Sequence, residues 1–347
     1  MQYGLKILGT GGYVPPLTVS NEEFAAIADT SDEWIRSRTG IRERHFADGE
    51  SSLDLAAQAA HRAMDDAGAA PEQIGVVVCA TATHEYLFPS LACRVAQALG
   101  LPEQVLAFDL NAACSGFLFA LHTAQCLLGE RRDAYALVIG SEVLSRITDF
   151  EDRSTCILFG DGAGAVVAGL GDGGPTLFDS GAIGGTQVLS CPSGLTARNP
   201  FASVQELPQR PRIHMDGREV FRFAVDSVSA SITRTLAQGG LAPGDVDWYV
   251  CHHSESGGKA AGRPFGTLFL QHRAPGQHLG RQHPPGAGRA PPLRPAAPGP
   301  AGGPLRLRRG AYLRFPLFYL VKEQYYGPSH HFGHSVPHHP GRHGQYF

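Results

Sequence analysis

Cys114 stands in AFDLNAACSGFLFALHTAQCLLG, residues 107–129, where an apolar extended run passes into a helical one through Ala112, Ala113, Ser115 and Gly116. Small neighbours let other backbone come close. A thiol at a helix start has its thiolate favoured by the unsatisfied N–H groups and the axial dipole. The chemistry on offer is nucleophilic attack by sulfur; a buried, inert thiol is the plain alternative. A thiolate needs a base or a cationic neighbour, and His252, at the tip of the strand-like VDWYVCH (residues 246–252), is the leading candidate. Cys251, His252 and His253 together also raise a metal reading, but no supporting ligand spacing surrounds them, nor the His-rich residues 331–344. The expectation is no metal. Cys79, Cys93, Cys126, Cys156 and Cys191 lack the strand-to-helix setting of Cys114 and read as structural.

These side chains require an α/β framework. The first 250 residues alternate strand and helix signals. Ile74–Thr83 and Ala134–Ser145 are short β-branched runs, while Ser51–Gly68 and Ser90–Gly100 carry apolar residues at helical spacing between a Ser cap and a Gly stop. A second cycle begins near Gly174, with a long helix over Arg218–Leu241 and a strand over Val246–Val250. Two similar cycles suggest an internal duplication that would set Cys114 and His252 at mirrored positions.

Composition fits a soluble globular protein. The chain has 347 residues, 43% of them hydrophobic, and a net charge of −3, which gives no nucleic-acid-like charge excess. No apolar run reaches membrane-spanning length and the N-terminus has no secretory pattern, so a cytoplasmic location is expected. Seven scattered cysteines without a CxxC pair point to reduced thiols. The average conceals a break, however. From Cys251 onward only Glu255 and Glu323 are acidic among the chain's 32 acidic residues, and 11 of the 16 His and 14 of the 25 Pro fall there.

AFDLNAACSGF resembles the active-site Cys motif of β-ketoacyl-acyl-carrier-protein synthase III, a thiolase-fold condensing enzyme. TSDEWIRSRTGIRERHFA (residues 30–47) resembles that family's coenzyme A segment, DRSTCILFGDGAGAVV (152–167) its Gly-rich turn, and MDGREVFRFAV (215–225) its helix entry. The likeness runs from about Gly9 to His252. It implies a five-layer αβαβα fold of two duplicated halves, the second incomplete here. Residues 1–174 would be the half with the nucleophile, 175–253 the start of the other, and 254–347 an aberrant, poorly ordered tail.

The same resemblance implies that Cys114 takes an acyl group from an acyl-CoA and that His252 assists decarboxylation of the malonyl unit. Trp34 and Arg153 would sandwich the adenine, Arg38 would touch the nucleotide, and Phe88 would narrow the acyl entrance. The partners implied are acyl-CoA, malonyl-acyl-carrier protein and a second copy of the chain, with neither nucleic acid nor membrane, and with no cofactor beyond the thioester substrate. GDGAGA at Gly160–Ala165 departs from GxGxxG spacing and reads as a tight turn beneath the active site. Alternatives are a non-decarboxylating or secondary-metabolite acyltransferase of the same fold, or a non-catalytic acyl-binding or dimerisation partner.

The family pattern stops after His253. Its Gln-Ala-Asn, its GNTS motif with the third catalytic residue, and its closing GYGAGLT strand do not occur. Permitted codons for QHRAPGQHLGRQHP (271–284), read one base later, give NIEHQGNTSAASI; those for LRLRRGAYLRFP (305–316) give CGYGAGLTCAS. The residues after about His253 therefore read as a frameshift product, and condensation as impaired.

Overall fold

A computed structural model describes residues 3–131, 133–171, 174, 176–184, 186–194, 201, 210–246, 249–251 and 269–271. In chain order its elements are β1 (Gly4–Tyr13), β2 (Leu17–Ser20), α1 (Asn21–Phe24), α2 (Asp32–Thr39), β3 (Glu43–Phe46), α3 (Ser52–Ala67), β4 (Ile74–Ala80), α4 (Leu91–Ala98), β5 (Leu106–Leu110), α5 (Gly116–Leu128), β6 (Tyr135–Val143) and β7 (Asp161–Gly171). There follow β8 (Leu189–Ser190), β9 (His214–Met215), α6 (Gly217–Gly239), β10 (Tyr249–Cys251) and β11 (Phe269–Gln271). The tail beyond residue 271, and His252 and His253 with it, lie outside the described residues.

A five-stranded mixed sheet in the order β1-β7-β6-β4-β5 organises the first half. β4 runs parallel to both β5 and β6, and β7 runs antiparallel to β6 and β1. The central strand β4, IGVVVCA, is almost wholly buried, as expected of a parallel strand covered on both faces. One face packs Val77, Cys79, Leu137 and Ile139 against α3 and α4. The other packs Val76, Val78, Ala136 and Val138 against α5. The strand alternation thus supplies both layers of the core.

Local chemistry sets the ends of these elements. Ser51 caps α3 in a reciprocal capping box with Asp54, and Gly68 closes it at φ 64°. Ser51 is thus the cap. The carboxylate of Asp109 on β5 accepts from Leu91 N–H and Ala92 N–H at 2.7 Å each, fastening the start of α4 to the sheet. At Gly9 and Gly11 of β1 a Cβ would lie 2.3 Å and 2.1 Å from α3 backbone, so glycine there lets strand and helix touch.

One expectation needs correction. GDGAGA is no tight turn: from Asp161 it is the first stretch of β7, hydrogen-bonded between β1 and β6. Its small residues mimic turn composition, but they serve close pairing in a central strand. A strand is present at Tyr249–Cys251, overlapping the end of the expected run Val246–Val250, and Asp247 and Trp248 lie outside the described residues. Within the tail, Phe269–Gln271 pairs antiparallel with β10.

Candidate active site

Parallel strands direct their carboxyl ends to one side of a sheet, where loops can converge. Leu110 ends β5, and Asn111–Ser115 lead into α5. Ala113 has φ 44°, alone among the described non-glycine residues in being positive, a conformation costing about 1–2 kcal/mol in an L-residue. Asn111 Oδ1 accepts from Ala113 N–H at 3.2 Å, and Ser115 N–H donates to Ala112 O at 3.1 Å, which holds the turn. The result is an exposed Cys114 one residue ahead of a buried Ser115. Gly116 permits the approach of α5 to β4, since a Cβ there would sit 2.9 Å from Ala80 Cβ. The expected strand, turn and helix are all present, with a short 3₁₀ turn carrying the thiol.

Glu142, near the end of β6, is half-buried at the same end of the sheet. Burial pushes its carboxyl up to about 7, against the opposing pull of hydrogen bonds from the Thr83 hydroxyl at 2.5 Å and Ala82 N–H at 2.8 Å. The β4–α4 loop follows, and Glu85 anchors it by accepting from Ser52 N–H (2.6 Å), Arg146 (2.7 Å) and Arg94 (3.1 Å). Beyond that anchor Phe88 is 83% exposed. Phe88 and Cys114 therefore rise from neighbouring strands at the same end of the sheet.

The three remaining described candidates come together. Trp34 and Arg38 are one turn apart on α2, and the Arg38 guanidinium lies 4.4 Å from the Trp34 ring centroid. Arg153, from the loop after β6, lies 5.5 Å from the same centroid. Arg153 also donates to Asp29 O at 2.8 Å and Asp29 Oδ2 at 2.9 Å. An indole flanked by two guanidinium groups suits a flat aromatic base with negatively charged substituents. His252 falls outside the described residues; β10 ends immediately before it.

Sequence reasoning passed over Asp29, Glu85 and Glu142, and the interior of the α2 segment. Asn21 is 0% exposed and Arg44 2%, although both are polar. The signal available was the period of β3: Glu43 faces out, which assigns Arg44 to the inside. Among the other thiols Cys79 and Cys156 are buried, whereas Cys93, Cys126 and Cys191 are exposed. Among the described residues no cluster of three or more His, Cys, Asp or Glu is placed to hold a metal. No described helix is long and apolar enough to cross a membrane.

Residues 108–182, which include the Cys114 turn, match the family model 3-Oxoacyl-[acyl-carrier-protein (ACP)] synthase III. The chain is 44% identical over 252 residues to the beta-ketoacyl-[acyl-carrier-protein] synthase III of Clostridium acetobutylicum, a match covering 72% of this chain and 77% of that protein. The chain belongs to the β-ketoacyl-acyl-carrier-protein synthase III family. Crystal structures named as this synthase agree: that from Pseudomonas aeruginosa PAO1 superposes with a TM-score of 0.63 at 38% identity, over 70% of this chain and 74% of that one. The Aquifex aeolicus VF5 structure gives 0.60 at 39% identity, over 70% and 75%. The fold is accordingly the thiolase type, with the mixed sheet of the first half at its centre.

Proposed function

We infer that this chain is an acyltransferase condensing enzyme that starts fatty-acid synthesis. In the first step the Cys114 thiolate attacks the carbonyl of an acyl-CoA. Backbone N–H groups, that of Cys114 among them, steady the tetrahedral oxyanion, and coenzyme A leaves as its thiol with the proton that sulfur gave up. In the second step malonyl-acyl-carrier protein loses CO2, and His252 steadies the resulting enolate. Its carbon attacks the acyl-Cys carbonyl, releasing the 3-oxoacyl-carrier protein and regenerating the Cys114 thiolate. The observation that carries this reading is the exposed Cys114 on a positive-φ turn ahead of α5, at the carboxyl end of parallel strands.

Trp34, Arg38 and Arg153 take the nucleotide end of the thioester, and Phe88 lines the acyl entrance. No cofactor enters either step. The chain works in the cytoplasm as a homodimer, a role to which the outer strand β5 is suited: Leu106 is 38% exposed and the strand pairs only with β4 among the described residues. Residues 175–253 begin the second half, and 254–347 are the out-of-frame product of the codons that would complete it, so the chain takes up acyl groups but condenses poorly.

Two measurements test this. Mass spectrometry after acetyl-CoA treatment should find one acetyl group on Cys114 and none in Cys114→Ser; a folded but unacylated protein would make the chain a binding module instead. Sequencing the DNA for residues 252–315 should find GNTS encoded one base later across residues 271–284, and any other codons there end the frameshift reading.

A further inference from the structure

Beneath the Trp34–Arg153 clamp lies a buried polar chain that the core does not require. Asn21 Nδ2 donates to Asp32 Oδ1 at 2.8 Å and to Ile41 O at 2.7 Å, and Asn21 Oδ1 accepts from Arg44 Nη2 at 2.9 Å. The same Arg44 nitrogen reaches Ile157 O at 3.3 Å. Asp32 opens α2 two residues before Trp34, and Ile157 follows Arg153 by four residues. One side-chain pair thus joins the segment that carries the indole to the segment that carries the guanidinium.

The arrangement is expensive for stability. Arg44 is buried against Phe24 and Ile157 of an apolar cluster, with its guanidinium 4.4 Å from the Phe24 ring centroid. Its Nε and Nη1 are buried without a hydrogen-bond partner, and no carboxylate forms an ion pair with it among the described residues. A buried cation without a counter-charge is unfavourable, and an apolar side chain of similar volume would fill the same space more cheaply. Its Nη2, however, donates to two acceptors on different segments from one fixed position, which an apolar chain cannot do and which the shorter lysine could do only by drawing those segments toward it.

We propose that Arg44, through Asn21, is a positioning residue that sets the spacing between Trp34 and Arg153 and so governs affinity for the nucleotide part of the thioester substrate. This rests on the reading of Trp34 and Arg153 as the nucleotide clamp. It makes a prediction that a purely structural role does not: the effect should follow the nucleotide and not the acyl group.

The test is Cys114 acylation by acetyl-CoA and by S-acetylpantetheine, which carries the same thioester without the nucleotide, in the full chain and its Arg44→Lys, Asn21→Ser and Trp34→Ala variants. Arg44→Lys should raise the half-saturating acetyl-CoA concentration about tenfold while leaving the maximal rate, and the rate with S-acetylpantetheine, within about twofold. Asn21→Ser should do the same and stands in where Arg44→Lys fails to fold. Equal slowing with both thioesters, or no change with either, overturns the positioning role. Should Trp34→Ala weaken only acetyl-CoA while Arg44→Lys and Asn21→Ser do not, the clamp survives and the positioning role falls. Should Trp34→Ala treat the two thioesters alike, the clamp reading falls with it.

Discussion

Helices α3 and α6 begin corresponding cycles of the two halves, yet they are held in different ways. α3 buries seven of its 16 residues, Ser52, Leu55, Ala56, Ala59, Ala60, Ala63 and Met64, in the layer facing β1, β6 and β7. α6 is longer, 23 residues, but buries only Ser231, Ile232, Thr235 and Leu236, and leaves Phe221 60% and Val225 50% exposed. What fastens α6 is polar: Asp179 accepts from Ser231 Oγ at 2.6 Å and from Arg234 at 2.9 Å and 2.7 Å. Arg234 is the main reason that the Asp179 carboxyl lies below its ordinary range. A capped amphipathic helix therefore forms in both halves, and only in the first does a described sheet give its apolar face somewhere to go.

That asymmetry divides the chemistry as well. Cys114 and the clamp residues lie in the well-packed half, whereas His252 lies past α6. The largest effect expected from splitting them is on acyl transfer. On the proposed roles, Cys114→Ala should lower acetyl uptake from acetyl-CoA by about 10³-fold or more, while His252→Ala should leave that uptake within a few-fold, because the proposed nucleophile cannot be replaced and the proposed decarboxylation residue is not used in the first step. The check is intact-protein mass against time. Comparable losses in the two variants would mean that the second half takes part in acylation.

A smaller effect sharpens the same contrast in stability. Leu137 is 0% exposed between α3 and the sheet, and Leu236 is 5% exposed in a small cluster with Ile232 and Val246. Leu137→Ala should cost about 3–4 kcal/mol, and Leu236→Ala about 2 kcal/mol, since a shallow cluster collapses more readily onto the space left. Amide hydrogen exchange locates the losses: Leu137→Ala should lower protection in α3 and β4, Leu236→Ala in α6 alone. Were Leu236→Ala to lower protection in α3 equally, the halves would unfold as one unit and the comparison would fail.

Legibility in the sequence followed the same division. Burial patterns over Ile74–Ala80 and Tyr135–Val143, and the Ser and Gly signals bounding α3 and α4, specify elements whose partners lie nearby, and the structure has them where periodicity placed them. The Cys114 turn was legible because its small residues serve one local purpose. GDGAGA misled because small residues also serve tight pairing inside a sheet, and only the partners β1 and β6 distinguish the two. What surrounds Asn21, Arg44 and Glu142 was illegible for a further reason. Each is a polar residue whose burial depends on segments far along the chain, and no local period reports what covers a carboxylate or a guanidinium.

Glu142 gives the smallest and most specific of these effects. Burial raises its carboxyl from the ordinary 4.5 to about 7, so the folded chain holds a proton that the unfolded chain releases between those values. Stability from this group is complete below about pH 4.5 and is lost as pH rises through 7, a total on the order of 2–3 kcal/mol for a half-buried group. Glu142→Gln removes the titration and keeps a side chain of the same shape, at the cost of weakening the bond from the Thr83 hydroxyl, worth about 1 kcal/mol. The variant should therefore melt below the parent at pH 5 and at or above it at pH 8. Melting curves that shift by the same amount at both values would mean that the carboxyl is already ionised in the folded chain, with the Thr83 and Ala82 bonds outweighing burial. The carboxyl end of β6 would then hold a fixed negative charge in place of a neutral acid.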